Sequence, residues 1–176
     1  FDENDQRVCG ANKRGRIFIR SGSPFEGYTD GRNKQIIDGY MSSGDMGHFD
    51  EDGLLFVDGR DDDMIVSGGE NVFPQEVENL LAQRADILDV ATVGVVDTEF
   101  GQRLRAFVVA QPGAEPDAEE IKLFVKSNLA RYKVPRDVVF IDELPRNATG
   151  KVLRRALVEY EQPTAENVQA DPGEAE

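Results

Sequence analysis

Residues 59–78, GRDDDMIVSGGENVFPQEVE, divide the chain into two halves of different character. Before this stretch, short β-prone runs alternate with turns rich in glycine and aspartate, and no apolar residues recur at helical spacing. From Pro74 onward, helical spacing alternates with runs rich in valine and isoleucine. A loop of glycines and charged residues between such unlike halves is typical of a domain junction, of a binding site, or of both.

The first half predicts β-structure. Residues 16–20, RIFIR, and residues 54–57, LLFV, have the composition of strands. Predicted turns follow the first strand at 21–24 and precede the second at 50–53, and the segment 38–45 between them is polar and punctuated by glycine. Two or three strands without a helix do not close a core, so we expect this half to belong to a larger body.

The second half predicts alternating helices and strands. Pro74 suits the first helical position, Glu76 and Glu78 suit the first turn, and Val77 begins an apolar face that Leu80 and Leu81 continue. Strands are predicted at 87–96 and 104–110, with a turn at 97–101 between them.

Asp117 and Glu120 resemble a capping box that opens a second helix, and residues 138–141 predict a third strand. A last helix is predicted after Gly150 and Lys151; its apolar stripe comprises Leu153, Ala156, Leu157 and Tyr160. The order α-β-β-α-β-α predicts an α+β domain, a sheet flanked by helices, that follows the end of a β-rich subdomain.

Composition limits the function classes. The net charge of −14 argues against a nucleic-acid partner, because binding phosphate backbones requires clustered Lys and Arg. Cys9 is the single cysteine, and no apolar run approaches the roughly 20 residues that span a bilayer. We therefore expect no transmembrane segment and a cytoplasmic location, with peripheral membrane contact left open. The chain begins at Phe1, so we expect it to be a piece of a longer protein, and the acidic tail 162–176 is predicted to be disordered.

Lys151 is the candidate catalytic residue. It ends the segment 145–151, PRNATGK, and a Gly-Lys pair that opens a helix can bind an anion. The Walker pattern fails, because Pro145 replaces the first glycine and Val152 replaces Ser or Thr. From this pattern alone, Lys151 is either a mobile point charge or a solvated lysine at a helix start.

Other polar stretches give weaker evidence for a metal, catalytic or binding site. The aspartates at 61–63 point to alternate sides of an extended chain and cannot share one ion, so we predict no metal site and a solvated loop. His48, the single histidine, has no nucleophile near it in sequence and is predicted to be a structural turn residue. Residues 67–69, SGG, form either a plain turn or a backbone surface along which a narrow group slides.

Taken together and in order, these segments resemble motifs of the adenylate-forming superfamily, which includes acyl-CoA synthetases, peptide-synthetase adenylation domains and luciferases. The resemblance extends from about residue 15 to about residue 157. The motifs are SGD followed by DEDG (43–45 and 50–53), GRDD (59–62), SGGEN with PQEVE (67–71 and 74–78), LARYKVP (129–135) and PRNATGK (145–151). Several motifs in the family's order form a specific signal.

The resemblance implies roles for individual residues. Asp45 would hold the ribose hydroxyls of ATP, Arg60 would lie near the same ribose, and Asp62 would be the hinge between two domains. Ser67, Gly68 and Gly69 would line the tunnel for the pantetheine arm of coenzyme A. Lys151 would be the catalytic lysine of adenylation.

The resemblance also implies the domain organisation and the substrates. Residues 1–61 would end the large AMP-binding domain, residues 62–161 would form the small mobile C-terminal domain, and the rest of the large domain would precede Phe1. Expected partners are ATP, Mg²⁺, CoA and a carboxylic acid, with a fatty acid as first choice. The phosphate loop, acyl pocket and magnesium-binding glutamate are absent here, so the chain alone is expected to be inactive.

Two alternatives stay open. Residues 59–78 are similar to fatty-acid-CoA ligases, and an aspartate at the hinge position favours CoA as acceptor over the carrier protein of a peptide-synthetase domain. A carrier-protein-loading adenylation domain is the second enzymatic hypothesis. From a different class, the chain could be a stand-alone binding module without chemistry.

Overall fold

The computed structural model describes residues 1–20, 22 and 33–160. Within that part of the chain, the elements follow in this order: β1 (Gly15–Ile19), β2 (Ile36–Ile37), β3 (Tyr40–Phe49), β4 (Leu55–Arg60), β5 (Ile65–Ser67), β6 (Glu70–Val72), α1 (Pro74–Leu81), β7 (Ile87–Asp97), β8 (Gly101–Ala110), α2 (Ala118–Asn128), a 3₁₀ helix (Arg131–Lys133), β9 (Asp137–Phe140) and α3 (Arg154–Val158). The predicted turn at 21–24, apart from Gly22, and the predicted tail at 162–176 lie outside the described residues.

The first half forms an antiparallel sheet around β3. Strand β3 pairs with β1, β2 and β4, which confirms the two predicted strands and adds two more. The segment predicted as polar and glycine-punctuated is therefore largely a central strand. Its polar residues accept this conformation because neighbouring strands pair with both of its edges, and strand preference depends strongly on such context.

His48 was predicted to be a turn residue, and that prediction is wrong. It lies inside β3, with Nδ1 3.2 Å from Oδ2 of Asp58 and its ring stacked on Phe56 at a centroid distance of 5.5 Å. The turn lies just beyond it, where the Asp50 carboxylate accepts the backbone N–H groups of Asp52 and Leu54. A cross-strand partner on β4, which sequence spacing does not reveal, determines the environment of His48.

The first sheet does not bury an apolar core. Among the described residues, every buried hydrophobic side chain lies at Ile65 or later in the chain. Strand β4 exposes Leu55, Phe56 and Val57, the last of them at 62%. Exposed apolar side chains clustered on one strand are typical of an interaction surface.

The second half forms a five-stranded sheet with helices on both faces. Strands β7 and β8 form a long antiparallel hairpin, β5 and β6 extend the sheet, and β9 joins β8 in parallel. Buried residues of β8 alternate between faces. One core contains Leu104, Ala106 and Val108 with residues of α1 and α2, and the other contains Phe107 and Val109 with Leu157 of α3.

The helix starts confirm two predictions and correct a third. Pro74 opens α1, and the Asp117 carboxylate accepts the N–H groups of Glu119 and Glu120, each at 2.9 Å. Helix α3, however, begins only at Arg154, so Lys151 is a loop residue and does not begin a helix. Within the described part of the chain, no helix is long and apolar enough to cross a membrane.

Candidate functional site

Lys151 lies on a folded-back loop, residues 146–152, here called the lysine loop. Arg146 and Val152 pair as an isolated antiparallel bridge at its base. Inside it, the Asn147 N–H donates to the Lys151 carbonyl and the Gly150 N–H donates to the Asn147 carbonyl, each at 2.9 Å. The loop is therefore a small turn with its own hydrogen bonds.

The Asn147 side chain organises the lysine loop. Its Oδ1 accepts the Thr149 hydroxyl at 2.8 Å, the Thr149 N–H at 3.1 Å and the Lys151 N–H at 2.9 Å. An Asn side chain that bonds the backbone beyond it is a common way to form a tight turn. The backbone of Lys151 is thus held in place, while its side chain remains exposed.

Two arginines attach the lysine loop to strand β7. Arg146 donates to the Gly150 carbonyl and to Asp89, each at 2.6 Å. Just beyond the loop, Arg154 donates to the Thr92 carbonyl at 2.6 Å. Asp89 and Thr92 both belong to β7, so the loop is fixed to the sheet on both sides.

Asp45, Arg60 and Asp62 come together at the end of the first sheet. The register of β3 and β4 places Asp45 opposite Arg60. Arg60 Nη1 lies 3.5 Å from Asp45 Oδ1, and Arg60 Nε lies 3.1 Å from Asp62 Oδ1. Arg60 therefore joins the predicted ribose-binding aspartate to the predicted hinge aspartate.

The charges around Asp62 shift the pKa of its carboxyl group. Burial alone would raise the pKa of Asp62, but the hydrogen bond and charge of Arg60, a backbone N–H and the positive charge of Lys151 together lower that pKa below its ordinary value. The hydrogen bond to Asp62 also raises the pKa of Arg60. Asp45, Arg60 and Asp62, predicted from two motifs, thus form one charged site, and the charge of Lys151, from a third motif, acts on Asp62.

Residues 61–63 form a turn and not the extended segment that the sequence predicted, and Asp62 and Asp63 have different partners. Asp62 pairs with Arg60, whereas Asp63 Oδ2 lies 3.4 Å from Arg154 Nε. Asp61 is exposed. Among the described residues, no group of three or more His, Cys, Asp or Glu side chains is placed to hold a metal ion.

Ser67, Gly68 and Gly69 form a second feature, here called the glycine turn. Ser67 pairs with Glu70 at the end of the β5–β6 hairpin, and the two glycines between them have φ of +61° and +83°. Positive φ at both central residues is the requirement of a type I′ hairpin turn, which glycine meets without strain. The observed geometry is thus that of a hairpin turn.

The two glycines differ in the space around them. The Gly68 N–H donates to the Phe100 carbonyl at 3.0 Å, and a Cβ at Gly68 would lie 3.0 Å from the Phe100 ring. A Cβ at Gly69 would meet no described heavy atom within 4 Å. Gly68 is therefore needed for packing inside this chain, whereas Gly69 faces open space.

A cleft of about 660 Å³ adjoins the glycine turn. Its basic lining residues are Arg103, Lys126, Arg131 and Arg136. The Arg136 guanidinium lies 4.1 Å from the centroid of the Phe100 ring, which fixes it beside Gly68. Because Arg103 and Arg136 pair with Asp97 and Glu70 also lines the cleft, only part of this positive charge is free for an anionic ligand.

The structure does not bring the glycine turn to the lysine site. Two smaller clefts adjoin Asp63 and Arg154, and neither is lined by a residue of the turn. Strand β5, Ile65–Ser67, lies between Asp63 and Gly68 in the chain. The predicted site residues therefore fall into two groups at opposite ends of β5.

Sequence reasoning missed the residues that hold the lysine loop: Glu78, Arg146, Asn147 and Arg154. Glu78 suggested only a first-turn acid, yet it is buried and binds Arg154. Asn147, four residues before Lys151, is the one position with a recognisable signal, since asparagine favours turns. The arginine contacts depend on β7, which is about sixty residues distant in sequence, so local pattern could not reveal them.

Comparison with known proteins relates this chain to a protein family and to individual enzymes. A family model described as AMP-binding enzyme C-terminal domain matches residues 76–151. The indoleacetate–CoA ligase of Aromatoleum aromaticum is 44% identical over 78% of this chain and 28% of its own length. The long-chain-fatty-acid–CoA ligase of Bacillus subtilis is 37% identical over 92% of this chain and 29% of its own length.

The fold of this chain resembles a solved structure over most of the chain's length. The o-succinylbenzoate CoA synthetase of Bacillus subtilis, in complex with its acyl-adenylate intermediate, superposes with a TM-score of 0.82 at 31% identity. The superposition covers 92% of this chain and 34% of that protein. The chain thus spans about a third of the length of the proteins it matches.

Proposed function

Since this chain belongs to the adenylate-forming superfamily of AMP-binding enzymes, we propose that it is the C-terminal part of an AMP-forming acyl-CoA synthetase. The complete enzyme would convert a carboxylic acid, ATP and CoA to acyl-CoA, AMP and pyrophosphate. The observation that carries the proposal is the charged site in which Arg60 joins Asp45 to Asp62, together with Lys151 presented on a loop whose backbone Asn147 holds.

In the first half-reaction, a carboxylate oxygen attacks the α-phosphorus of ATP. A P–O bond forms, the bond from the α-phosphorus to the bridging oxygen breaks, and pyrophosphate leaves. Negative charge concentrates on the phosphoryl and carboxylate oxygens, and Lys151 would stabilise that charge and orient the two reactants. Asp45 would accept hydrogen bonds from the ribose hydroxyls, and Arg60 would hold that aspartate in place.

In the second half-reaction, the CoA thiol attacks the acyl carbonyl carbon. A C–S bond forms, AMP leaves with the carboxyl-derived bridging oxygen, and the thiol proton passes to solvent. Rotation at Asp62 would withdraw Lys151 and bring Ser67, Gly68 and Gly69 to the pantetheine arm. The separation of the two groups along β5 supports such a division, because one arrangement cannot place both beside the same acyl group.

The division into domains is part of the proposal. Residues 1–61 would complete the large AMP-binding domain, and residues 62–161 would form the small domain that moves. Support comes from the core, which among the described residues buries hydrophobic side chains only from Ile65 onward. Mg²⁺ would be held by residues of the preceding part of the enzyme, since the described residues here do not form a ligand cluster.

Coenzyme A is the proposed acceptor. Its nucleotide carries phosphates, and the basic cleft of Arg103, Lys126, Arg131 and Arg136 ends at the glycine turn, where the narrow pantetheine arm would begin. A carrier-protein acceptor is the alternative, and a full-length enzyme that uses a carrier protein in preference to free CoA would favour it. A fatty acid is the first choice for the acid, although the relatives named above act on different acids.

The test uses the full-length enzyme that contains this chain. We expect ATP–pyrophosphate exchange that depends on a carboxylic acid, and formation of acyl-CoA when CoA is added. Residues 1–176 alone should catalyse neither reaction. A full-length protein without acid-dependent exchange would contradict the enzymatic proposal and favour a binding module; an upstream reading frame without a Ser/Thr/Gly-rich phosphate loop would do the same.

A further inference from the structure

We propose that Arg154 is a positioning residue for Lys151. Arg154 connects Lys151 to the chain segment that follows the hinge. The inference rests on the proposed function, because it assigns Arg154 a part in the adenylation step. Arg154 would not touch the reacting atoms. It acts by holding the base of the lysine loop.

Arg154 contacts three separate parts of the molecule. Its Nη1 and Nη2 donate to the two carboxylate oxygens of Glu78 on α1, at 2.7 and 3.0 Å. Its Nη1 also donates to the Thr92 carbonyl of β7 at 2.6 Å, and its Nε lies 3.4 Å from Asp63 Oδ2. One planar guanidinium therefore joins a helix, a strand and the junction, which a lysine could not do in the same geometry.

Two of these contacts stabilise the edge of the sheet. Strand β7 lies at the end of the strand order, and the Thr92 N–H donates to Glu78 Oε1 at 2.6 Å while its carbonyl accepts from Arg154. Glu78 and Arg154 thus satisfy both backbone groups of one edge residue. Burial would lower the pKa of Arg154, but its bonds to Glu78 outweigh that effect and keep it charged.

The third contact has a different role. Asp63 follows the predicted hinge residue, Asp62, and its side chain is 30% exposed, so the contact contributes little to the buried edge. Arg154 follows Lys151 by three residues. The Asp63–Arg154 pair therefore links the first residue after the hinge to the end of the lysine loop. Rotation at Asp62 would then carry the loop as a rigid unit.

The decisive variants separate this link from folding. Asp63→Asn keeps the shape of the side chain and removes its charge, without disturbing Glu78 or Thr92. Arg154→Lys keeps a charge that can reach one partner and loses the three-way contact. We expect both variants to lower the turnover of adenylation, by about 10-fold for Asp63→Asn and about 100-fold for Arg154→Lys. ATP KM and thioester formation from supplied acyl adenylate should stay near the parent values in both variants. The melting temperature should stay near the parent value in Asp63→Asn and fall in Arg154→Lys, which loses the paired bonds to Glu78.

Arg155→Gln is the matched control, because Arg155 is the adjacent arginine, is exposed and forms no side-chain ion pair within the described residues. It should behave as the parent enzyme. Lys151→Ala is measured in parallel: if it leaves adenylation intact, the proposed function itself fails. If Lys151→Ala removes adenylation but Asp63→Asn lowers both half-reactions and the melting temperature together, or if neither Asp63→Asn nor Arg154→Lys slows adenylation, the positioning role of Arg154 is refuted.

Discussion

The lysine loop and the glycine turn are both tight turns that contain a glycine of positive φ, yet they are stabilised in opposite ways. Side chains hold the lysine loop: Asn147 bonds its backbone from within, and Arg146 and Arg154 bond residues of β7. Backbone bonds hold the glycine turn, through the β5–β6 hairpin and the carbonyl of Phe100. A site that presents a charge needs an oriented side chain, whereas a wall for a narrow substrate needs side chains to be absent.

Replacement of the charged group should give the largest effect. Lys151→Ala in the full-length enzyme removes the charge that stabilises the adenylation transition state, so adenylate formation should fall by about 10³-fold. Thioester formation from supplied acyl adenylate should stay largely intact, because the proposed second step does not use this lysine. Pyrophosphate exchange and a thioester assay measure the two steps.

Lys122→Ala is the control for Lys151→Ala, since Lys122 lies on α2 and, among the described residues, pairs only with Glu119, at 2.7 Å. It should leave both half-reactions unchanged. Equal loss of both half-reactions in Lys151→Ala would mean that the lysine loop has no selective role in adenylation.

Addition of a side chain to the glycine turn should have the opposite selectivity. Gly69→Leu would fill the space that now borders Gly69, and thioester formation should fall by about 100-fold while adenylation persists. The assay compares acyl-CoA formation from supplied acyl adenylate with pyrophosphate exchange. Activity with CoA equal to the parent's would rule out a pantetheine wall at Gly69.

Gly113→Leu provides the control for backbone strain. Gly113 has φ of +81°, against +83° at Gly69, and a Cβ there would also meet no described atom within 4 Å. Both substitutions place leucine in a backbone conformation that L residues rarely adopt. Any loss of stability common to the two variants is therefore due to backbone strain. The remaining difference between them in thioester formation then reports the effect of the Gly69 side chain on the substrate.

Locking the hinge should slow the alternation between the lysine loop and the glycine turn at the active site. Asp62→Pro fixes φ, and we expect overall turnover to fall by about 10-fold or more because the small domain cannot alternate. Asp62→Ala is the control, since it removes the contact with Arg60 and leaves φ free. Steady-state acyl-CoA formation measures the effect, and equal turnover of Asp62→Pro and the parent would refute a hinge at this residue.

The smallest effect should come from within the lysine loop. Asn147→Ala removes three hydrogen bonds that shape the loop, so Lys151 should sample more orientations and adenylation should slow by about 5-fold. Thr149→Val, which removes only the hydroxyl contact, should slow it less. Pre-steady-state adenylate formation measures both, and a greater loss in Thr149→Val would contradict the assigned order.

Local patterns predicted the elements that depend on local chemistry. The start of α1 at Pro74 and the capping of α2 by Asp117 follow from backbone geometry that one residue imposes on its neighbours. Predictions failed where distant strands decide the outcome. Strand β3 contains polar residues that only pairing on both edges makes extended, and α3 begins later than its apolar stripe suggested because the lysine loop precedes it.

The sequence by itself determined the order of the main helices and strands after Pro74, the change of character near residue 60 and the motifs that identify its family, since these depend on residue types at fixed spacing. Tertiary structure alone decided which of those motifs meet. Pairing of β3 with β4 joins Asp45 to Arg60, and the edge of β7 anchors Arg154 beside Glu78. Such contacts join residues tens of positions apart, and their geometry depends on strand register and burial, which no local pattern encodes.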